Sequence, residues 1–185
     1  MNKNKRMAVE GTPDMKICLE KLTSSELIDA YSGIIKELKK REIIRTNNVV
    51  GDLGEYLAIQ FYNQMPTLPK LSPAPVGTEN IDAISRKGDR YSIKSTTSNV
   101  TGVFFGLEPL GSTRKDEKKF EYVVICKFDS DYRLLAIYEM DWDTFLKNKR
   151  WHSRMNAWYL TLTKQVIEQC KEVSLWNESF YGRIE

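Results

Sequence analysis

The runs "FEYVVICKF" (120–128) and "YRLLAIYEM" (132–140), parted only by "DSD", constrain the fold more than any other feature of the chain. Both are apolar almost throughout instead of alternating, so strands built from them must be covered on both faces. They are predicted as central strands of a sheet with layers above and below it. Such runs are too short to cross a bilayer, so no membrane partner is expected.

The rest of the chain supplies the layers. "LTSSELIDAYSGIIKELKKREIIR" sets Thr23 and Glu26 at capping-box spacing and puts Leu27, Ile28, Tyr31, Ile34, Ile35 and Leu38 on one helical face, predicting an amphipathic helix over 24–42. After "RTNN", Asn48 can cap a second helix, "VVGDLGEYLAIQFYNQ", with Leu53, Tyr56, Leu57 and Phe61 on its apolar side. Gly51 and Gly54 are costly inside a helix and point to an irregular first turn or a close backbone approach. Four prolines in "MPTLPKLSPAPVGT" predict a loop without regular structure. "IDAIS" and "RYSIKST" then read as a hairpin about "RKGD", with Gly88 supplying a positive φ. "GVFFGL" is a further strand candidate, "DWDTFLKNKR" a short capped helix, "AWYLTL" an extended piece, and "TKQVIEQCKEV" a closing helix capped by Thr163 or Thr161.

Helices, a mixed sheet and closing helices make an α/β layered domain. The expected organisation is a loose arm over 1–14 and one domain over 15–185, in which 15–48 is helical, 49–140 is the core and 141–185 closes the fold. The basic N-terminus lacks the apolar stretch and cleavage site of a secretory signal, and a cytoplasmic location is expected. Cys18, Cys126 and Cys170 form no CxxC pair and suit reduced, mostly buried thiols. With His152 as the single histidine, zinc–histidine clusters are disfavoured, and any metal should be a hard ion held by carboxylates. The net charge of +3 argues little by itself, but "KELKKREIIR", "STRKDEKK" and "KNKRWHSR" concentrate positive charge locally.

Chemistry concentrates in "ENIDAISRKGDRYSIKSTT". On the returning strand Ser92 and Lys94 share one face, and pairing across the turn brings Asp82 toward both. A carboxylate that holds a divalent ion beside a lysine that orients water suits phosphodiester hydrolysis. Glu55, beside the apolar side of the second helix, can add a third group. The same spacing also fits a surface Asp82–Lys94 salt bridge with Glu55 as a boundary residue.

The stretch resembles the bipartite motif of the PD-(D/E)xK nuclease superfamily: an Asp on one strand, an acidic-x-Lys tripeptide on the next, and a Glu on an upstream helix. From the "GE" helix through "IDAI", "SIKS" and the two apolar strands to "AIYEMDWDTFL", the order of parts looks like that of the small dimeric type II restriction endonucleases of the Pvu type. The resemblance implies a restriction-endonuclease-like mixed central sheet flanked by helices. It gives Asp82 the metal-bridging role, Lys94 the water-orienting role and Glu55 an auxiliary metal role. Ser92 departs from the pattern, standing where an acid is expected, and a neutral hydroxyl is a poor magnesium ligand. Glu55 supplies the missing charge, Glu79 reaches in as substitute ligand, or catalysis is weakened and the chain is a silent DNA-binding module; the first is favoured because a helix-borne acid can approach the same metal from another side. The implied activity is Mg2+-dependent cleavage of double-stranded DNA, with Mn2+ as a substitute, by a homodimer whose host sites a cognate DNA methyltransferase protects. A repair or defence nuclease of the same superfamily is the neighbouring possibility.

Phosphate and base contacts call for basic and small polar groups. Arg45, Asn47 and Asn48 precede the Glu55 helix and are candidates, although helix termination and capping also account for them. Ser98, Asn99 and Thr101 follow the catalytic strand. Arg150, His152, Arg154 and Asn156 accompany Trp151 and Trp158, in a mix that suits a groove contact or a surface loop anchored by two tryptophans. The first helix, with Ile43 and Ile44 as spare apolar positions, is a candidate dimer interface and equally a candidate for the core.

Overall fold

The computed structural model describes residues 19–75 and 77–175. Along them run α1 (Ser24–Lys40), α2 (Val49–Gln64), β1 (Leu71–Pro73), β2 (Ala83–Ser85), β3 (Arg90–Thr96), β4 (Tyr122–Phe128), β5 (Leu134–Asp141), α3 (Trp142–Asn148), β6 (Arg150–His152), β7 (Ala157–Tyr159), α4 (Lys164–Ile167) and β8 (Lys171–Leu175). Six strands form one sheet in the order β1-β2-β3-β4-β5-β8, while β6 and β7 pair separately. β3 and β4 are parallel, and the other neighbours in the large sheet are antiparallel. The architecture is thus the mixed α/β sheet flanked by helices that the sequence predicts.

β4 behaves as its composition demands. Val124, Cys126 and Phe128 enter a core shared with Leu57, Ala58, Phe61 and Tyr62 of α2. Val123 and Ile125 enter a second core with Phe104, Phe120, Met140, Trp142 and Phe145. Burial on both faces leaves no room for a polar side chain there, which is why the run does not alternate. In the second core the Phe104 and Phe145 rings lie 4.7 Å apart between centroids, and Phe120 meets Trp142 edge-on at 5.0 Å.

An ion pair fixes where the parallel strands start. The Arg90 guanidinium donates to Glu121 through Nε at 3.1 Å and Nη2 at 2.9 Å, and the Arg90 main-chain N–H donates to the same carboxylate at 2.7 Å. Glu121 N–H in turn donates to Arg90 O at 2.9 Å. The Arg90 guanidinium beside Glu121 holds its carboxyl at about 2, well below the ordinary 4.5 of glutamate.

The structure departs from the sequence reading in several places. The proline-rich loop contains β1, because Asn63 clamps Leu71 through both its amide groups, donating to Leu71 O at 2.9 Å and accepting from Leu71 N at 2.8 Å. As the edge strand, β1 tolerates Pro73. "GVFFGL" is not a strand: Phe104 forms an isolated bridge with Trp158, and Gly106, at φ 67°, turns the chain away. The expected closing helix is the single turn α4, and "KEVSL" instead lies along the free edge of β5 as β8. "AWYLTL" contributes β7 of the small hairpin, and Thr163 caps α4, its side chain accepting from Val166 N.

The chain divides into two compact units, Met1–Arg41 and Glu42–Glu185. In the first unit, α1 carries its expected capping box at Thr23 and Glu26 but buries none of its residues. In the second, Ile44 is only 1% exposed and belongs to the interior, the core alternative for that position. Cys126 is buried and Cys170 partly so, both as free thiols. The arm over 1–14 and Cys18 lie outside the described residues. Among those described, no helix is long and apolar enough to cross a membrane.

Because the Glu121 carboxyl is depressed in the folded chain, its contribution is present above the ordinary 4.5 and is lost as pH falls toward about 2. Glu121→Gln is expected to cost about 2 kcal/mol near neutrality. In urea titrations across pH, the gap between wild type and variant should close at the acid end.

Candidate functional site

α2 brings its acids to the site by helical spacing. Asn48 caps it, accepting from Gly51 N at 3.3 Å, and Asp52 and Glu55 follow three residues apart on one face. The helix lies unusually close to β3. A Cβ on Gly54 would stand 1.8 Å from Ser95 Oγ and 3.3 Å from Cys126 Cβ, and Cys126 Sγ donates to Gly54 O at 3.4 Å. This is the close backbone approach that the glycine suggests, and it sets Glu55 over the sheet.

Asp82 sits just before β2 and is held from both sides. Its main-chain N–H donates to Tyr91 O at 2.8 Å, and its carbonyl accepts from Ala74 N at 2.9 Å. Its Oδ2 accepts from Ile93 N at 2.6 Å and from Ser92 Oγ at 3.5 Å. Lys94, on β3, sets its Nζ 5.0 Å from the centre of the wholly buried Phe104 ring. The alternative Asp82–Lys94 salt bridge is not among the ion pairs of the described residues.

Two depressions meet at Glu55 and Asp82, which line both. One, of about 210 Å³, adds Asn48 and Lys94; the other, of about 240 Å³, adds Arg45 and Asp52. Glu55 Oε2 accepts from Arg45 Nη2 at 2.6 Å. Burial, then the neighbouring Asp82 charge, pushes the Glu55 carboxyl above the ordinary glutamate value; Arg45 opposes the shift and Asp52 adds to it. Asp52 is 6% exposed and binds the preceding loop, accepting from Arg45 N at 2.6 Å, from Thr46 N, and from Thr46 Oγ1 at 3.2 Å.

Of the residues expected from sequence, Glu55, Asp82, Lys94, Arg45 and Asn48 gather at this site, and Asn47 is exposed in the loop before α2. Ser92 does not open onto it. Its side chain is wholly buried and turned to Asp82, so in place of the metal contact expected of it, it donates to the Asp82 carboxylate. Glu79 is also corrected: it lies against Gly106, because Asn80 at φ 59° turns the chain and donates to Phe105 O at 2.9 Å. Thr101 is buried and serves the backbone, donating to Gly102 O at 2.8 Å and accepting from Leu160 N at 3.0 Å, so it has nothing to offer a base.

Ser98 and Asn99 are exposed in a loop that Lys127 ties down, Nζ donating to Ser98 O at 2.7 Å and Asn99 Oδ1 at 3.4 Å. Arg150 and His152 lie on β6, and Arg154 and Asn156 in the turn to β7, a hairpin stiffened by the edge-on Trp151–Trp158 pair at 5.1 Å. None of these six lines either depression. Asp52 and Phe104 escape the sequence reading. The three-residue spacing of Asp52 from Glu55 is a readable signal for the first, whereas nothing local marks the second.

Among the described residues, no group of three or more His, Cys, Asp or Glu is assembled to hold a metal. Two carboxylates on a shared depression nevertheless fit magnesium, which keeps several waters and uses one or two protein carboxylates together with substrate phosphate oxygens. The guanidinium seated on Glu55 places positive charge at that carboxylate. Glu55 and Asp82 are the residues that would hold the ion. No family model matches the chain, and no curated protein matches it.

Gly54→Ala is expected to destabilise the fold by about 1–3 kcal/mol, because the new methyl meets Ser95 at 1.8 Å from Oγ and 2.9 Å from Cβ. Pairing it with Ser95→Gly removes the clash, and thermal melts of the double variant should recover part of the loss.

Proposed function

We propose that the chain is a metal-dependent endonuclease that hydrolyses phosphodiester bonds of double-stranded DNA at a specific sequence, a type II restriction endonuclease related to the PD-(D/E)xK superfamily. The observation that carries the reading is the convergence of Glu55, Asp82 and Lys94, from three separate segments, on one open depression. A divalent ion, Mg2+ or Mn2+, when bound supplies positive charge against the scissile phosphate and an acidified water. The protein's own groups do the rest. Asp82 is oriented by the Ile93 N–H and the Ser92 hydroxyl, both on Oδ2, and its other oxygen is the one that would take the ion. Lys94, steadied on the Phe104 ring, offers three donors to an attacking water or a phosphate oxygen and offsets the charge that builds there. Asn48 and Arg45 stand where backbone phosphates would pass, and the basic hairpin of Arg150 and Arg154 is a candidate for groove contact.

Plasmid incubated with the purified chain and Mg2+ is expected to give discrete fragments, and smearing instead would indicate a nonspecific repair or defence nuclease. Asp82→Asn and Lys94→Ala should each lose roughly 10²-fold or more in cleavage rate. Full cleavage by both variants would overturn the site. The buried neutral Ser92 specifically favours a second reading, a silent DNA-binding module, for which duplex binding without cuts is the signature.

A homodimer suits cleavage of both strands of a symmetric site, where a cognate methyltransferase in the same cytoplasm would protect the host's copies. The supporting feature is the exposed apolar stripe of α1, with Ile28 at 65%, Tyr31 at 64% and Ile34 at 49% exposure. Ile28→Glu with Ile34→Glu should shift sedimentation from dimer to monomer and convert double-strand cuts into nicks.

A further inference from the structure

Arg45 is bound in two independent ways. Its main-chain N–H is fixed at 2.6 Å to the buried Asp52 carboxylate, which also takes the Thr46 N–H and hydroxyl. Among the described residues its side chain is held only by the ion pair with Glu55, at 2.6 Å. The loop therefore does not need the ion pair to keep its place. Both partners keep some solvent contact, 38% of the Arg45 side chain and 21% of the Glu55 side chain, so water and other ions can reach the pair. Glu55 lines the depression that holds Lys94 as well as the one that holds Arg45. A guanidinium there repels any divalent ion approaching the same carboxylate, and its planar fork pairs with a phosphate as well as with a carboxylate.

We propose that Arg45 is a resident counter-ion that occupies Glu55 in the free protein, excludes the divalent ion, and transfers to a backbone phosphate when a nucleic acid duplex binds. Duplex and ion then bind cooperatively. Phosphate takes the guanidinium off Glu55, the carboxylate becomes available to the ion, and by linkage the ion strengthens duplex binding by the same factor. The inference rests on the proposed nuclease site but concerns binding, not turnover.

Calorimetric titration of the whole chain with MnCl2, with and without a mixed-sequence duplex bearing hydrolysis-resistant phosphorothioate linkages, tests it. The wild type should bind Mn2+ some 5- to 150-fold more tightly when duplex is present. Arg45→Met should bind Mn2+ roughly tenfold more tightly than wild type in the absence of duplex, and duplex should add little further. Arg45→Lys keeps the charge and should stay near the wild-type affinity in the free protein. Melting temperatures of the variants should match the wild type, since the anchoring bond to Asp52 is made by main chain.

If Arg45→Met binds Mn2+ no better than the free wild type, the counter-ion role is overturned while the metal site stands. An absence of duplex enhancement in the wild type overturns it without recourse to any variant. If neither wild type nor variants bind Mn2+, the metal site and the counter-ion fall together.

Discussion

Gly54 lets α2 lie so near β3 that a methyl group at that position would fall 1.8 Å from Ser95 Oγ, and the placement of every acid on the helix follows from that separation. Were the helix to ride at an ordinary side-chain distance, Glu55 would be lifted off the sheet and away from Asp82. The closeness has a cost: among the described residues the Ser95 hydroxyl is buried without a hydrogen-bond partner, a defect worth roughly 1–3 kcal/mol. Leu57, Ala58, Phe61 and Tyr62, packed into the same core one turn further on, supply apolar burial that offsets it.

Charge is arranged around that contact in opposed layers. Asp52, Glu55 and Asp82 crowd negative charge at the helix start, and each is answered by a different donor: main-chain amides of the preceding loop for Asp52, the Arg45 guanidinium for Glu55, and the Ile93 amide for Asp82. The middle answer is the one given by a side-chain cation, and burial together with the Asp82 charge raises the Glu55 carboxyl. Main-chain donors are fixed by the fold, so the Asp52 and Asp82 carboxylates are aimed by the backbone, whereas Glu55 is met by a guanidinium at the end of a long side chain.

Much of this is legible in the sequence where the determinants are local. The Thr23 and Asn48 caps, the Gly88 turn, and the alternation that puts Ser92 and Lys94 together depend on a few neighbouring residues and survive folding unchanged. The missed features are set by partners far along the chain. "KEVSL" became β8 because β5 offered an unpaired edge, not because of its own periodicity. Thr101 looked like a polar reader until Leu160, 59 residues later, claimed its hydroxyl. Glu79 lies three residues before Asp82, yet a left-handed Asn80 sends it toward Gly106. For Asp52 the three-residue spacing to Glu55 is the local signal, while its role as a loop anchor depends on the fold of residues 45 and 46.

The bridge between Phe104 and Trp158 ties the ammonium of Lys94 to a distant hairpin. Phe104 carries that ammonium on its ring while exchanging main-chain hydrogen bonds with Trp158 at 2.6 and 3.2 Å, and Trp158 packs edge-on against Trp151 of β6. Ring, bridge and hairpin are joined by contact, so the aromatic face beneath Lys94 takes its position from a segment far along the chain, and the lysine's setting is not a property of β3 alone.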